Sequence, residues 1–230
     1  MAAIELATST LFTDTALKAY YRFSSNLNDS STSGYTLSNS NSSDTAGGKF
    51  GNGRNFVRAS SQHAYLSAGG FGNINLTGIQ TWGMWFSPVS NSVNYYTAGL
   101  RASGGGDYRG FFLNSSGNAN FQIDGLTTNA GINSSNTFSS GSYNFVVGRY
   151  DGSQISIFLN GTWNRLSASG SGNSIVSNFS IGRLGDQNLN YYDGNIDDFW
   201  IFNRALSDDE VQYLYDGTPI SSGSFMLNFI

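Results

Sequence analysis

From Tyr143 to Asn160 the chain spells two alternating runs, YNFVVGRY and QISIFLN, on either side of Asp151-Gly152, a dipeptide favoured in tight primed hairpin turns. Asn160-Gly161 offers another such turn directly afterwards. A period of two sustained over this length suits a half-buried strand and not a helix. The same grammar recurs along the chain. Strand-length runs fall at Leu17–Phe23 (LKAYYRF), Arg54–Val57, Ala64–Ser67, Tyr95–Ala102, Arg109–Leu113, Ala119–Ile123, Phe179–Arg183 and Gly194–Asn203. Between them lie stretches of Gly, Ser and Asn, the longest at Asn26–Ser33 and Asn39–Gly53.

One run breaks the alternation. In Ile79–Phe86 (IQTWGMWF), Ile79, Thr81, Gly83 and Trp85 share one face and Gln80, Trp82, Met84 and Phe86 the other. Apolar groups on both faces predict a central strand covered on each side. Near the C-terminus Ser207-Asp208-Asp209-Glu210 forms a capping box, with Val211, Leu214 and Tyr215 as a buried stripe and Gly217 and Pro219 as the stop. These signals predict an all-β, two-sheet antiparallel sandwich with one short C-terminal helix at about 207–215. A last strand is expected at Phe225–Ile230, and the absence of a repeat or linker predicts a single domain over 1–230.

Gly, Ser and Asn in such numbers can signal disorder, but 17 Phe, 13 Tyr and 4 Trp spread along the chain supply a core that disordered chains lack. Charged residues reach only 11%, against about 25% in ordinary domains. With net charge −4, lysine only at 18 and 49 and the arginines scattered, the chain has no phosphate-binding footprint, so nucleic acid is not an expected partner. No apolar run is long enough for membrane insertion. Cysteine is absent, which removes thiolate chemistry. Met1–Phe12 lacks the marks of a signal peptide. Export is therefore expected through a signal outside this chain or as part of a virus particle.

The order of motifs resembles the LamG-like (laminin G, pentraxin-like) domains of the concanavalin A-like lectin/glucanase superfamily. The resemblance is carried by LKAYYRF, NDSSTSG, HAYLS, QTWGMWF and RYDGSQISIFLNG, and most specifically by GNIDDFWIFNRALSDDEV, and it runs from about Leu17 to Tyr215. It implies a jelly roll. It also implies a structural Ca²⁺, held by an Asp of the final strand beside the N-terminal loop, which nominates Asp29, Asn28 and Asp197. By alternation Asp197 shares a face with core residues Phe199 and Ile201, so calcium, Arg22 or backbone N–H groups would each serve as its partner. Asp198, sharing a face with Trp200, is expected to be the more exposed.

Catalysis lacks an inventory. The chain has two glutamates, Glu5 and Glu210, and one histidine, His63, which reads as a surface residue at a strand end. Asp197 and Asp198 are strand neighbours expected on opposite faces, so they would not flank one glycosidic bond. The expectation is a non-enzymatic recognition or adhesion module that binds glycans, displayed extracellularly or on a virion. Its further expected partners are virion or surface-structure subunits and copies of itself. A purely structural shell or fibre component is the alternative, with a divergent polysaccharide hydrolase or lyase behind it. Sugar sites combine aromatic faces with amide partners, which nominates Tyr191, Tyr192, Asn190, Trp163, Tyr95 and Tyr96, with Tyr108 as a further loop aromatic.

Overall fold

The computed structural model describes residues 2–69, 74–102 and 106–218. The expected strand at Phe225–Ile230 and Pro219 lie outside the described residues. In chain order the strands are β1 (Leu17–Tyr21), β2 (Ser38–Ser40), β3 (Ser43–Gly48), β4 (Gly51–Phe56), β5 (His63–Leu66), β6 (Gln80–Pro88), β7 (Tyr95–Arg101), β8 (Tyr108–Leu113) and β9 (Ala119–Ile123). They continue with β10 (Leu126–Thr128), β11 (Gly131–Asn133), β12 (Asn144–Tyr150), β13 (Gln154–Leu159), β14 (Thr162–Ser167), β15 (Ser169–Gly170), β16 (Phe179–Ile181) and β17 (Gly194–Phe202), followed by helix α1 (Asp208–Asp216). Two short 3-10 turns, Leu6–Thr8 and Thr10–Thr13, precede β1.

Two antiparallel sheets form a jelly-roll sandwich. The first has eight strands in the order β14-β13-β12-β6-β17-β4-β3, with β1 also paired to β17; the second has seven, β11-β9-β8-β7-β16-β5-β2. Asn160 and Gly161 both take positive φ (46° and 96°), as a type I′ turn requires, and join β13 to β14. In the preceding hairpin only Gly152 has positive φ (97°), and Asp151 Oδ1 instead accepts from the N–H groups of Ser153 and Gln154. The helix begins with the expected capping box and ends at Gly217 in the left-handed region.

Trp82, Met84 and Phe86 of β6 face the other sheet, and in that space Trp82 meets Phe179 of the opposite β16 and Phe199 of the neighbouring β17 edge-on at 6.0 and 6.1 Å. On the opposite face Trp85, Phe145, Phe158, Trp200 and Phe202 form a second core, roofed by Leu6 and Leu11 of the N-terminal turns and by Val211 and Leu214 of α1. Arg204 fastens this roof, bonding Asp14 at 2.6 Å and Glu210 at 2.8 and 2.6 Å. The molecule is thus layered as seven-stranded sheet, eight-stranded sheet and roof, and β6 is covered on both faces as its sequence predicts. No helix among the described residues is long and apolar enough to cross a membrane.

The seam between the eight-stranded sheet and its roof depends on Gly83. A Cβ there would stand 2.2 Å from the Trp200 ring, so the indole lies where any other residue would project. Gly83→Ala should therefore cost about 1–3 kcal/mol through overpacking. A urea melt checks this, the expected result being a lower midpoint with an unchanged slope.

Candidate functional site on the open sheet

The roof covers one side of the sandwich, whereas no described helix lies over the outer face of the seven-stranded sheet. Alternation decides what that face carries. On β9, Ala119, Phe121 and Ile123 point into the core, which leaves Asn120 and Gln122 outside. On β5, Ala64 and Leu66 are core residues and His63 and Tyr65 face outward. On β8, Phe111 and Leu113 are core, and Tyr108 and Phe112 stand half-buried outside. A bulge in β7 after Tyr96 places that ring among them.

The segment 182–190 runs across this face. Its backbone is bonded to β7 through Gly182 N to Thr97 O (2.7 Å), Gly185 N to Gly99 O (3.1 Å) and Tyr96 N to Asn190 O (2.7 Å). Gly99 and Gly110 form a cross-strand pair, and a Cβ on Gly99 would lie 2.6 Å from Leu184 Cδ1, so the bare pair makes room for Leu184. On one flank Tyr96 packs against Phe112 (5.1 Å) and Tyr108 (6.3 Å). The Tyr108 hydroxyl donates to Gln122 Oε1 (2.8 Å), and Arg101 Nη1 donates to the Tyr96 hydroxyl (3.3 Å). On the other flank Tyr191 packs against His63 (6.0 Å), which stands beside Tyr65 (5.5 Å). The Tyr191 hydroxyl donates to Asn188 Oδ1 (2.9 Å), which also receives Arg183 Nη1 (3.3 Å). A bridge between Tyr96 and Tyr191 joins the flanks into one aromatic strip edged by amides and two arginines.

Burial pushes the His63 imidazole below its ordinary value, outweighing the Ser61 carbonyl, which raises it. It is therefore neutral at pH 7 and packs as part of the strip. Its expected position as a surface residue is corrected: it opens β5 and is 8% exposed. Burial raises the Tyr108 phenol, which stays a donor at neutral pH.

Of the residues nominated for sugar binding, Tyr96, Tyr108, Asn190 and Tyr191 are brought together here, Tyr108 at the start of β8 and not in a loop. Tyr95 and Tyr192 are not, because in each Tyr-Tyr pair alternation sends one ring inward. They meet edge-on at 5.6 Å inside the core, where Tyr192 also contacts Phe56. Trp163 lies on the eight-stranded sheet, stacked between Arg149 (4.4 Å) and Arg165 (4.8 Å). Tyr65, Phe112, Arg101, Arg183 and Gln122 were missed. An outward-facing register on β5, β8 and β9 was readable for Tyr65, Phe112 and Gln122, but which sheet face lies open was not.

The two strand aspartates depart furthest from expectation. A bulge follows Asp197 in β17, and Asp198 takes φ 52°. The extra residue breaks the alternation, so both carboxylates turn to the roofed side and neither shares the inner face of Phe199. Asp197 accepts from the N–H groups of Phe50 (2.9 Å) and Asp198 (2.8 Å). Asp198 accepts from Leu6 N (3.2 Å) and from the Tyr20 hydroxyl. Each is 1% exposed, so Asp198 is not the exposed neighbour predicted. Arg22 pairs with Glu5 instead (2.8 Å), and backbone N–H groups take the role of partner to Asp197.

Asp29 is engaged elsewhere. Its two oxygens accept from Tyr20 N, Ser31 N, Ser31 Oγ and Tyr35 N at 2.8–2.9 Å, which shapes the loop after β1, and Asn28 is exposed. Carboxylates saturated by N–H and O–H donors have few lone pairs left for a hard cation that takes six to eight oxygens. No group of three His, Cys, Asp or Glu among the described residues is placed to hold a metal. As arranged, Asp29, Asn28 and Asp197 do not fit a calcium site.

A laminin G profile of the concanavalin A-like lectin/glucanases superfamily matches residues 58–212, well over half of the chain. The chain belongs to this superfamily. No curated protein matches it in sequence. Among solved structures it is similar to domain 4 of the extracellular arabinanase AbnA from Geobacillus stearothermophilus, in complex with arabinotriose. That match has 15% identity and TM-score 0.62 and covers 87% of this chain and 98% of that one. It is also similar to the CBM40 of the Ruminococcus gnavus IT-sialidase bound to α2,3-sialyllactose (15%, TM-score 0.55, 67% and 96%). The binding domain of Paraclostridial Mosquitocidal Protein 1 is a third (16%, TM-score 0.66), with 86% of this chain matching 51% of that one. At such low identity these similarities speak for the fold alone.

Burial, and for Asp198 also the neighbouring Asp197 charge, raises both carboxyls, to about 7 for Asp197 and about 8 for Asp198. In the unfolded chain each would titrate near 3.8. Folding therefore takes up protons between these values, and the pair's contribution to stability is complete below about pH 4 and is lost as pH rises to about 8. His63, depressed on folding, acts in the opposite sense below 6.5, so the share of Asp197 is the difference between the wild type and a variant that lacks it. Melting temperatures of the wild type and Asp197→Asn from pH 5 to 8 measure it. The variant should lose less stability across that range.

Proposed function

We propose that the protein is a non-enzymatic glycan-recognition module that binds sugars on the open face of the seven-stranded sheet. The observation that carries this reading is the strip of half-buried rings, Tyr65, Tyr96, Tyr108 and Phe112, interleaved with Gln122, Asn188, Arg101 and Arg183. Ring faces take the apolar side of a pyranose, and the amides and guanidinium groups take its hydroxyls. The carboxylates at this face are engaged, Asp124 by the Tyr108 N–H and by Gln122, and Asp186 by Arg183. Asp197 and Asp198 lie buried under the roof on the other side of the sandwich, and Glu210 is spent on the helix cap and Arg204. The sugar complexes of the arabinanase domain and the sialidase module, which share the fold, add support. Display outside a cell or on a virus particle, where such a face would meet surface glycans, belongs to this proposal. So does association with further copies or with neighbouring surface subunits.

A glycan array probed with the wild type and with Tyr96→Ala and Tyr65→Ala tests the reading. Removing one stacking ring should weaken binding about tenfold, equivalent to about 1.4 kcal/mol, without lowering the melting temperature by more than a few degrees. Wild-type binding to no glycan, or binding untouched by both substitutions, would overturn the assignment and favour a purely structural role.

A further inference from the structure

The roof over the eight-stranded sheet stops short of one end. There Trp85 of β6 stands opposite Asp197 of β17 and Phe145 of β12. Two residues along, roughly 7 Å in a strand, Ser87 stands opposite Asn195, which in turn pairs with Asn55 of β4. Tyr143 precedes β12 on the same side. Trp85 of the first rung lines a cleft of about 610 Å³ whose walls also include Lys49, Tyr143, Asn160, Tyr215 and Asp216. The second opens a cleft of about 350 Å³ containing Asn55, Ser87, Pro88 and Asn195. The register sets the two clefts side by side along a groove on the side of the sandwich away from the aromatic strip.

Two polar groups of the groove have no acceptor among the described residues. Lys49 Nζ sits 4.0 Å above the Trp85 ring and has no ion pair or hydrogen-bond acceptor among the described residues. It is half-buried, and burial pushes its ammonium below the ordinary value with no opposing contribution. The Trp85 Nε1–H, on a side chain 3% exposed, also lacks an acceptor. Asn55 Nδ2 donates to Asn195 Oδ1 (2.8 Å), which leaves the Asn195 amide hydrogens and Asn55 Oδ1 for hydroxyl groups. The rings are in place too: Tyr215 stacks on Trp85 at 6.2 Å and 16°, and Tyr143 closes the far wall. A cation starved of an acceptor beside aromatic walls and free amide groups matches a ring that carries one negative charge. Asp216 at the rim, already engaged by Gln212 and Thr218, disfavours a polyanion.

We infer that this groove is a second carbohydrate site, selective for sugars bearing a single carboxylate. The carboxylate pairs with Lys49, the pyranose face lies against Tyr143 and Tyr215, and an adjoining sugar reaches Asn55 and Asn195. The inference stands apart from the open-face reading, because none of its residues belongs to the aromatic strip.

Ligand-observed NMR and tryptophan fluorescence on the full chain test it. The probes are the methyl glycosides of glucuronate, galacturonate and N-acetylneuraminate, each paired with a neutral counterpart (the methyl glucoside, the methyl galactoside and the neuraminate methyl ester). At least one acid should bind ten times more tightly than its partner. That preference should vanish in Lys49→Met, return in Lys49→Arg and survive Tyr96→Ala, which lies on the opposite sheet. Three outcomes would overturn the inference: no acid binding more tightly than its neutral partner, a preference that persists in Lys49→Met, or one that is lost in Tyr96→Ala. The last would move acid recognition to the open face.

Discussion

Two carboxylates buried side by side at one bulge set the arrangement of everything around them. Desolvating adjacent acids is costly unless donors reach them, and here the donors come from distant parts of the chain. Phe50 N arrives from the turn between β3 and β4, Leu6 N from the first N-terminal turn, and the Tyr20 hydroxyl from β1. The bulge also divides the free edge of β17, so that β4 pairs with 194–196 and β1 with 199–202. One irregularity thus holds the N-terminal segment down, and with it the roof. It is a consequence of the roof that the eight-stranded sheet is covered over most of both faces, whereas the other sheet keeps a whole face open.

Features decided within a few residues were legible in the sequence. The Asn160-Gly161 turn, the helix with its Ser207–Glu210 box and the doubly covered β6 each depend on local chemistry, and each stands where the residues place it. The superfamily was legible from the run ending in SDDEV. The bulge was not, because a left-handed Asp198 has no local signal and is stabilised by groups more than a hundred residues away. Strands such as β2 and β3 were hidden for another reason. Built from Ser, Asn, Asp, Thr, Ala and Gly, they carry no hydrophobic alternation, and pairing with a neighbour is what makes them strands.

The candidate site was half legible for a related reason. Tyr95-Tyr96 and Tyr191-Tyr192 each announce an aromatic pair near the surface, but period-two geometry allows only one of each pair outside. Choosing between them needs the phase of the strand, and in β7 a bulge resets that phase. Low charge had a clearer message than expected. A chain with few lysines and glutamates leaves its outer positions to Tyr, Asn, Gln and Ser, and the open sheet draws on that vocabulary. Where a lysine does appear, at Lys49, it sits over an indole without a counter-charge.

The segment 182–190 is attached to the open sheet in a way that separates its sequence from the stability of the fold. Three of its anchors are bonds between main-chain atoms, and a bare glycine pair receives its one inserted leucine. Neither hydrophobic core borrows a side chain from the loop between Gly182 and Asn190. Asn188 and Leu189 can therefore be exchanged, and the ridge reshaped, while both layers of packing remain as they are; Arg183, 8% exposed and bonded to Ser180 Oγ, stays tied to the sheet. Such a ridge can change its surface chemistry while the frame that carries it stays the same.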